Sequence, residues 1–438
     1  MKKVLKGFLP LLLISAMVLV AACGNNSGKQ EGGNTPSNNA GNGGESKPQE
    51  VTLNFWTISL QPTFNDYING VIAAYENEHP NVKIKWQDYP MDAIQTKLLA
   101  SSASNEAPDV VNLNTEIALQ MVNVGALADI SQYISSDVAS SYIDGIYNST
   151  VLDGKAYAFP WYTSIQVLFM NKEILEKAGL DPNKAPATRD ELHEMARTIK
   201  EKTGVAGYAT EFTAKSHLAN EGVPILTEDR TAAAFASEQG IAAAEEIKTL
   251  VEEGVIMKEI AKFDAQVQFY ASEQTAFVLA GPTFINRMKT AAQDVLDKTK
   301  VVALPTGKGN VNYSGTMNLV VPSASKNQQE AANFAAYMTN AVNQLEFSKV
   351  ANTIASTKES LKDKFFTESD GSIEAEAKVA TVSGLEHASE YTLGVARVAD
   401  INSTVNAALE QIILNKADAK ATLEKAAEDV NNLLKLDK

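Results

Sequence analysis

One cysteine, four histidines and a deficit of positive charge set the first limits on this 438-residue chain. A lone cysteine excludes a disulfide framework and any thiolate metal cluster. His79, His193, His217 and His387 are scattered, which leaves little material for a zinc site. Lys and Arg number 38 against 53 Asp and Glu, for a formal charge of −15. A nucleic-acid surface needs the opposite balance, so nucleic acid is not an expected partner. There is no phosphate-binding P-loop, no dinucleotide glycine fingerprint and no GxSxG elbow. Ser323-Ala324-Ser325-Lys326 and Lys202-Thr203-Gly204 imitate two motifs of penicillin-binding enzymes, but in the reverse chain order and without a middle motif. His193-Glu194-Met195-Ala196-Arg197 starts like a zinc-protease helix and has arginine where the second histidine must stand. No cofactor and no metal are expected.

What is present begins with a leader. Lys2, Lys3 and Lys6 precede an apolar run from Phe8 to Ala22. That run falls short of the ~20 residues of a spanning helix and reads as a secretory signal over residues 1–22. It ends in Leu19-Val20-Ala21-Ala22-Cys23, which resembles the bacterial lipobox, with valine in place of the commoner leucine three places before the cysteine. The resemblance implies cleavage before Cys23 and lipidation of its thiol, and a diacylated cysteine suffices as an anchor. Gly24 to Glu50 hold seven glycines and six asparagines, with Ala40 as the one apolar side chain. Such a segment cannot bury enough surface to offset ordering entropy, so residues 23–50 read as a lipidated cysteine and a tether reaching roughly 30 Å.

With 45% hydrophobic residues, the remaining body is long enough for two lobes with separate cores. Val51, Leu53 and Phe55 alternate with polar neighbours, as do Val82 and Ile84. Between them Phe64, Tyr67, Ile68, Val71, Ile72 and Tyr75 follow helical spacing up to His79-Pro80. Thr188 to Glu191 has capping-box spacing ahead of an apolar stripe that Gly204 closes. Thr275–Ala280 and Met317–Val321 read as strands, and two amphipathic helices end the chain. Strands alternating with helices predict an α/β architecture.

The runs Trp56-Thr57-Ile58-Ser59, His79-Pro80-Asn81-Val82 and Ala107-Pro108-Asp109-Val110-Val111 resemble the family 1 extracellular solute-binding proteins. So do Gly125-Ala126-Leu127, Asp153-Gly154-Lys155, Pro160-Trp161-Tyr162, Asn171-Lys172, Lys177-Ala178-Gly179-Leu180, Leu304-Pro305-Thr306-Gly307 and Val321-Pro322, in that order across about residues 51–430. The resemblance implies a two-lobed periplasmic-binding-protein type II fold with a ligand cleft between the lobes. Expected lobes are 51–160 with about 322–384, and 161–321 with about 385–438. It also implies a monomeric carbohydrate receptor that serves the permease of an ABC importer from the extracytoplasmic face, held to the membrane only by its lipid. A binder of a phosphorylated polyol such as glycerol 3-phosphate, or a secreted glycan-cleaving enzyme with paired carboxylates, are the alternatives.

In open α/β sheets ligands sit beyond the carboxyl ends of strands. Trp56 closes the first strand as read here and can stack on a sugar ring, or pack under a lobe. Asn114, Thr115 and Glu116 follow the third strand and can pair with hydroxyls, or cap a helix. Trp161 and Tyr162, beside the strand-interrupting Pro160, stand where the chain should cross between lobes and are the leading candidates. Gly281 permits close backbone approach, with Thr283 as a hydroxyl donor and Phe284 as a second platform or a core residue. Thr316 and Asn318 lie on the second crossing strand. Glu211, Phe212 and Arg397 are lesser candidates.

Overall fold

The alternating runs and helical stripes settle into two sheets, each covered by helices. The computed structural model describes residues 50–104, 106–210, 213–258, 262–351 and 353–436. The signal, Cys23, the tether up to residue 49, and the candidates Glu211 and Phe212 lie outside the described residues. The strands are β1 (Val51–Ile58), β2 (Val82–Tyr89), β3 (Val110–Asn114), the hairpin β4 (Val151–Leu152) and β5 (Lys155–Ala156), β6 (Phe159–Ile165) and β7 (Val167–Asn171). There follow β8 (Ala206–Tyr208), β9 (Thr275–Ala280), β10 (Thr299–Ala303), β11 (Asn312–Val320), β12 (Ile354–Ala355) and β13 (Ala388–Ser389). The larger sheet has the order β12-β6-β11-β3-β1-β2, with β13 added on β11, and the smaller one β10-β7-β9-β8.

Strand direction places the site. β1 pairs parallel with β2 and β3, whereas β11 is antiparallel to both β3 and β6. β1, β2, β3 and β6 therefore all end at the same edge of the larger sheet. Only Gln166 separates the end of β6 from the start of β7, which lies opposite the end of β9 through the pair Val167 and Ala280. β8, β9 and β10 consequently end facing the edge at which β6 ends. This is the two-lobed type II arrangement, with the carboxyl ends of both sheets turned toward one cleft.

Each lobe has its own core. Leu53 and Phe55 face Ile68, Ile72 and Phe334, while Trp56 and Ile58 on the opposite face of β1 pack with Ile94, Leu98 and Leu113. In the second lobe the helix Arg189–Thr203 buries Leu192, Ala196 and Ile199. Thr188 caps its start by accepting from the Glu191 N–H, and Gly204 ends it in the left-handed region at φ 75°. The helices Val398–Asn415 and Ala419–Lys435 add Ile401, Leu409, Leu423 and Val430 to the same core. The helix Ile373–Gly384, assigned to the first lobe by the expected boundaries, instead packs on β10 and β7, with Ala377 and Ala380 against Phe169 and Val301.

One buried acid ties the first lobe together. Asp109 accepts from the Asn54 N–H at 2.8 Å, the Ser325 hydroxyl at 2.6 Å and the Asn327 amide at 3.3 Å. It thus links β1, the approach to β3 and the turn after β11. Hydrogen bonds to a charged group are each worth about 1.5–3 kcal/mol, and their buried donors are left unpaired when the acceptor is removed. Asp109→Ala should therefore cost about 3 kcal/mol in urea unfolding of the first lobe; a loss below about 1 kcal/mol contradicts this role.

Candidate functional site

A cavity of about 620 Å³ lies between the lobes. The first lobe supplies Asn114, Thr115 and Glu116, from the end of β3 and the first turn of the helix Thr115–Asn123. Its floor is the paired strands β6 and β11, through Tyr162, Thr163 and Thr316. The second lobe contributes Gly281, Pro282 and Thr283 beyond β9, and Lys215 from the helix Ala214–Asn220. Two further hollows continue this cleft. One of about 560 Å³ shares Lys215, Glu390 and Thr392 with it, and one of about 300 Å³ in the second lobe shares Gly281 and Tyr313. A larger hollow of about 730 Å³ borders Trp56, Gln87 and Asp109 but touches neither crossing strand, so it is not part of this site.

The chemistry of the cleft is polar around one ring. Tyr162 is half-buried, its ring against Trp161 and Phe347, and burial raises its hydroxyl pKa. The Thr163 and Thr316 hydroxyls meet at 3.0 Å. Lys215 reaches across from the second lobe to Glu116, 3.4 Å from Oε2, and lies over the Tyr313 ring. Glu390, only 8% exposed, accepts from the Thr316 backbone N–H and from the Thr115 side chain. Loss of hydration pushes its pKa up to about 7, against which the two threonines and Lys215 act.

Several predicted residues come together here: Asn114, Glu116, Tyr162, Gly281, Thr283 and Thr316 all line the cavity. Asn114 also caps the following helix, its Oδ1 accepting from the Ile117 N–H at 2.8 Å. Others stand apart. Trp56 does not end its strand; β1 continues to Ile58, and the indole donates to Gln87 at 2.8 Å and packs edge-on to Tyr89 within the first lobe. Trp161 is wholly enclosed and stacks on Phe347, because side chains alternate along β6 and Tyr162 takes the cleft side. Phe284 is also wholly enclosed, against Phe169 and Tyr270, so it offers no platform and belongs to the core. Asn318 is buried one layer below the cleft and donates to the Thr115 hydroxyl at 2.8 Å. Arg397 opens the helix Val398–Asn415, pairs with Asp400 and does not line the cavity.

Glu390, Lys215, Thr163 and Tyr313 were not singled out from sequence. Tyr313 carries a readable signal, since it has the same parity on β11 as the half-buried Met317. Lys215 and Glu390 lie in segments without periodicity. Among the described residues one group has metal-ligating donors close together, Asp190, His193 and Glu246, within 4.8 Å. Both ring nitrogens of His193 are engaged there, by Glu246 at 3.0 Å and the Tyr208 hydroxyl at 3.1 Å. Lys308 already brings positive charge to Glu246, so the group is explained as a tie between two helices.

Comparison with known proteins agrees with this geometry. The family described as "Bacterial extracellular solute-binding protein" matches residues 61–345, and the chain belongs to that family. The galactooligosaccharide-binding protein of Bacillus subtilis is 23% identical over 380 residues, covering 84% of this chain and 86% of the relative. The diacetylchitobiose binding protein of Streptomyces coelicolor is 30% identical over 190 residues, 43% of this chain and 41% of its own. The crystal structure of a cyclic alpha-maltosyl-1,6-maltose binding protein from Arthrobacter globiformis shares the fold, with a TM-score of 0.74 at 22% identity, over 88% of this chain and 99% of that one.

Glu390 makes stability depend on pH. Its pKa is about 7 in the folded chain and near the ordinary 4.5 when unfolded. Folding therefore favours the protonated form, and the stability is fully present below pH 4.5 and lost as pH rises to about 7. The loss attributable to this group is about 3 kcal/mol. Glu390→Gln should remove that slope and leave the variant more stable than the parent at pH 8, by urea unfolding across pH 4–8. Parallel pH profiles for the two proteins contradict the assignment.

Proposed function

We propose that the protein is a lipid-anchored receptor that captures a sugar or oligosaccharide between its lobes and delivers it to an ABC importer. The observation that carries this reading is the cleft itself. A half-buried aromatic ring lies beside threonine hydroxyls, carboxylates and a lysine contributed by both lobes. Sugars present apolar ring faces and many hydroxyls, and such a lining answers both. The named relatives that bind galactooligosaccharide, diacetylchitobiose and a cyclic maltosyl-maltose support the same ligand class. The continuing hollows favour a ligand longer than one ring.

Binding to both lobes at once lets the ligand favour the closed form, because it can shift the equilibrium only by its differential affinity for the two states. Energy for import then comes from the transporter. The leader and Cys23 support an anchored, extracytoplasmic location. A glycan-cleaving enzyme is separated by incubation with oligosaccharides: saturable binding without product supports the receptor, and turnover overturns it.

Two outcomes follow from this reading. In a thermal-shift screen of neutral oligosaccharides, a ligand at 100 times its dissociation constant should stabilise the folded chain by about 2.7 kcal/mol. Tyr162→Ala should weaken that ligand roughly tenfold while leaving the protein folded, through loss of the ring face; unchanged affinity moves the site elsewhere. Separately, Cys23→Ser should release the protein into the medium or leave it unprocessed. Finding it cleaved and still membrane-bound contradicts the anchor.

A further inference from the structure

The hollow of about 300 Å³ at the ends of β8, β9 and β10 contains polar groups that the fold leaves unanswered. Arg189, at the first position of its helix, donates from Nε to the Pro305 carbonyl at 3.1 Å. No carboxylate among the described residues forms an ion pair with its guanidinium, in a chain with 53 acids and 38 bases. Glu221 influences Arg189 electrostatically but is held by Lys308 at 2.9 Å. Arg189 is half-buried, and its partial loss of hydration pushes the guanidinium pKa down. Asn220 is 8% exposed and lines the same hollow, and its enclosed Oδ1 has no hydrogen-bond partner. The amide can be turned to present Nδ2–H instead, so either polarity is available. The Tyr391 hydroxyl, which Arg189 also influences electrostatically, is likewise enclosed without a partner, beside the neighbouring hollow of about 560 Å³.

A guanidinium whose Nη atoms make no hydrogen bond among the described residues matches the planar, paired oxygens of a carboxylate or phosphate. A neutral hydroxyl would accept one bond and bring no countercharge to the half-buried guanidinium. The hollow adjoins the ligand cleft, sharing Gly281 and Tyr313 as lining residues, and its volume is at the lower end for small-molecule sites. We propose that this hollow is an oxyanion seat, in which Arg189 and Asn220 hold a carboxylate or phosphate borne by one end of the sugar in the cleft. The inference rests on the sugar-receptor reading and adds that the ligand is acidic.

The test is calorimetry on the full-length processed chain with trigalacturonate, glucose 6-phosphate and neutral maltotriose, against Arg189→Gln and Asn220→Ala. Arg197→Gln, an exposed arginine paired with Glu253, serves as the control. Circular dichroism melts confirm that each variant is folded. One acidic probe should bind at least tenfold more tightly than maltotriose, and Arg189→Gln should weaken it roughly 30-fold, with the control unchanged. Preference for trigalacturonate assigns a uronate, and preference for glucose 6-phosphate a phosphate ester. Maltotriose binding that equals the acidic probes, or that alone occurs and survives Arg189→Gln, overturns the seat while leaving the sugar receptor intact. Acidic binding unchanged in Arg189→Gln, or binding of none of the three, also overturns the seat.

Discussion

Everything about this protein's site depends on the antiparallel pairing of β6 with β11. The pairing runs from Phe159 opposite Leu319 to Ile165 opposite Ser314. It lies inside the larger sheet, where β6 carries the chain toward the second lobe and β11 brings it back. The same residues therefore serve as sheet, crossing and cleft floor. Alternation along β6 sends Trp161 into the core and Tyr162 to the cleft, and a shift of one residue would exchange them. The register shift between Met317 and Asn318 falls at this point, where Thr316 remains on the cleft side and Asn318 sinks beneath it.

From that floor the polar layout follows. The Thr316 N–H, beside the site of the register shift, donates to Glu390, a carboxylate brought in by the segment after β13. Glu390 is held away from water, and its raised pKa is the energetic signature of that position. Above it, Lys215 and Glu116 meet from opposite lobes, and Arg230 and Asp153 do the same at 2.6 Å farther along. Such pairs are individually weak when exposed to solvent. Both pairs join residues of the two lobes across the cleft.

The architecture was legible because it depends on patterns with a period. Alternation in Val51–Phe55 and the stripe from Phe64 to Tyr75 report burial directly, and ordered family runs added the lobe plan. The cleft was legible at strand ends and at the crossing strands: Asn114, Glu116, Gly281 and Thr283 follow from the first rule, and Tyr162 and Thr316 from the second. Phe284, one residue beyond Thr283, fails because the helix beginning there turns its first ring into the core. Trp56 fails because two further residues of β1 extend past it. Arg189 and Glu390 carry no local signal, since their roles arise from what the fold encloses them with. Long-range placement of a single charged side chain has no short-range pattern to read.

The central claim is that a sugar is gripped by both lobes at once. Small-angle scattering on the processed protein, with and without a saturating oligosaccharide identified by thermal shift, tests it most directly. Binding across the cleft predicts a smaller radius of gyration with ligand, and a smaller change for Tyr162→Ala at the same ligand concentration. An identical scattering curve at saturation would contradict capture by closure and place the ligand on one lobe alone.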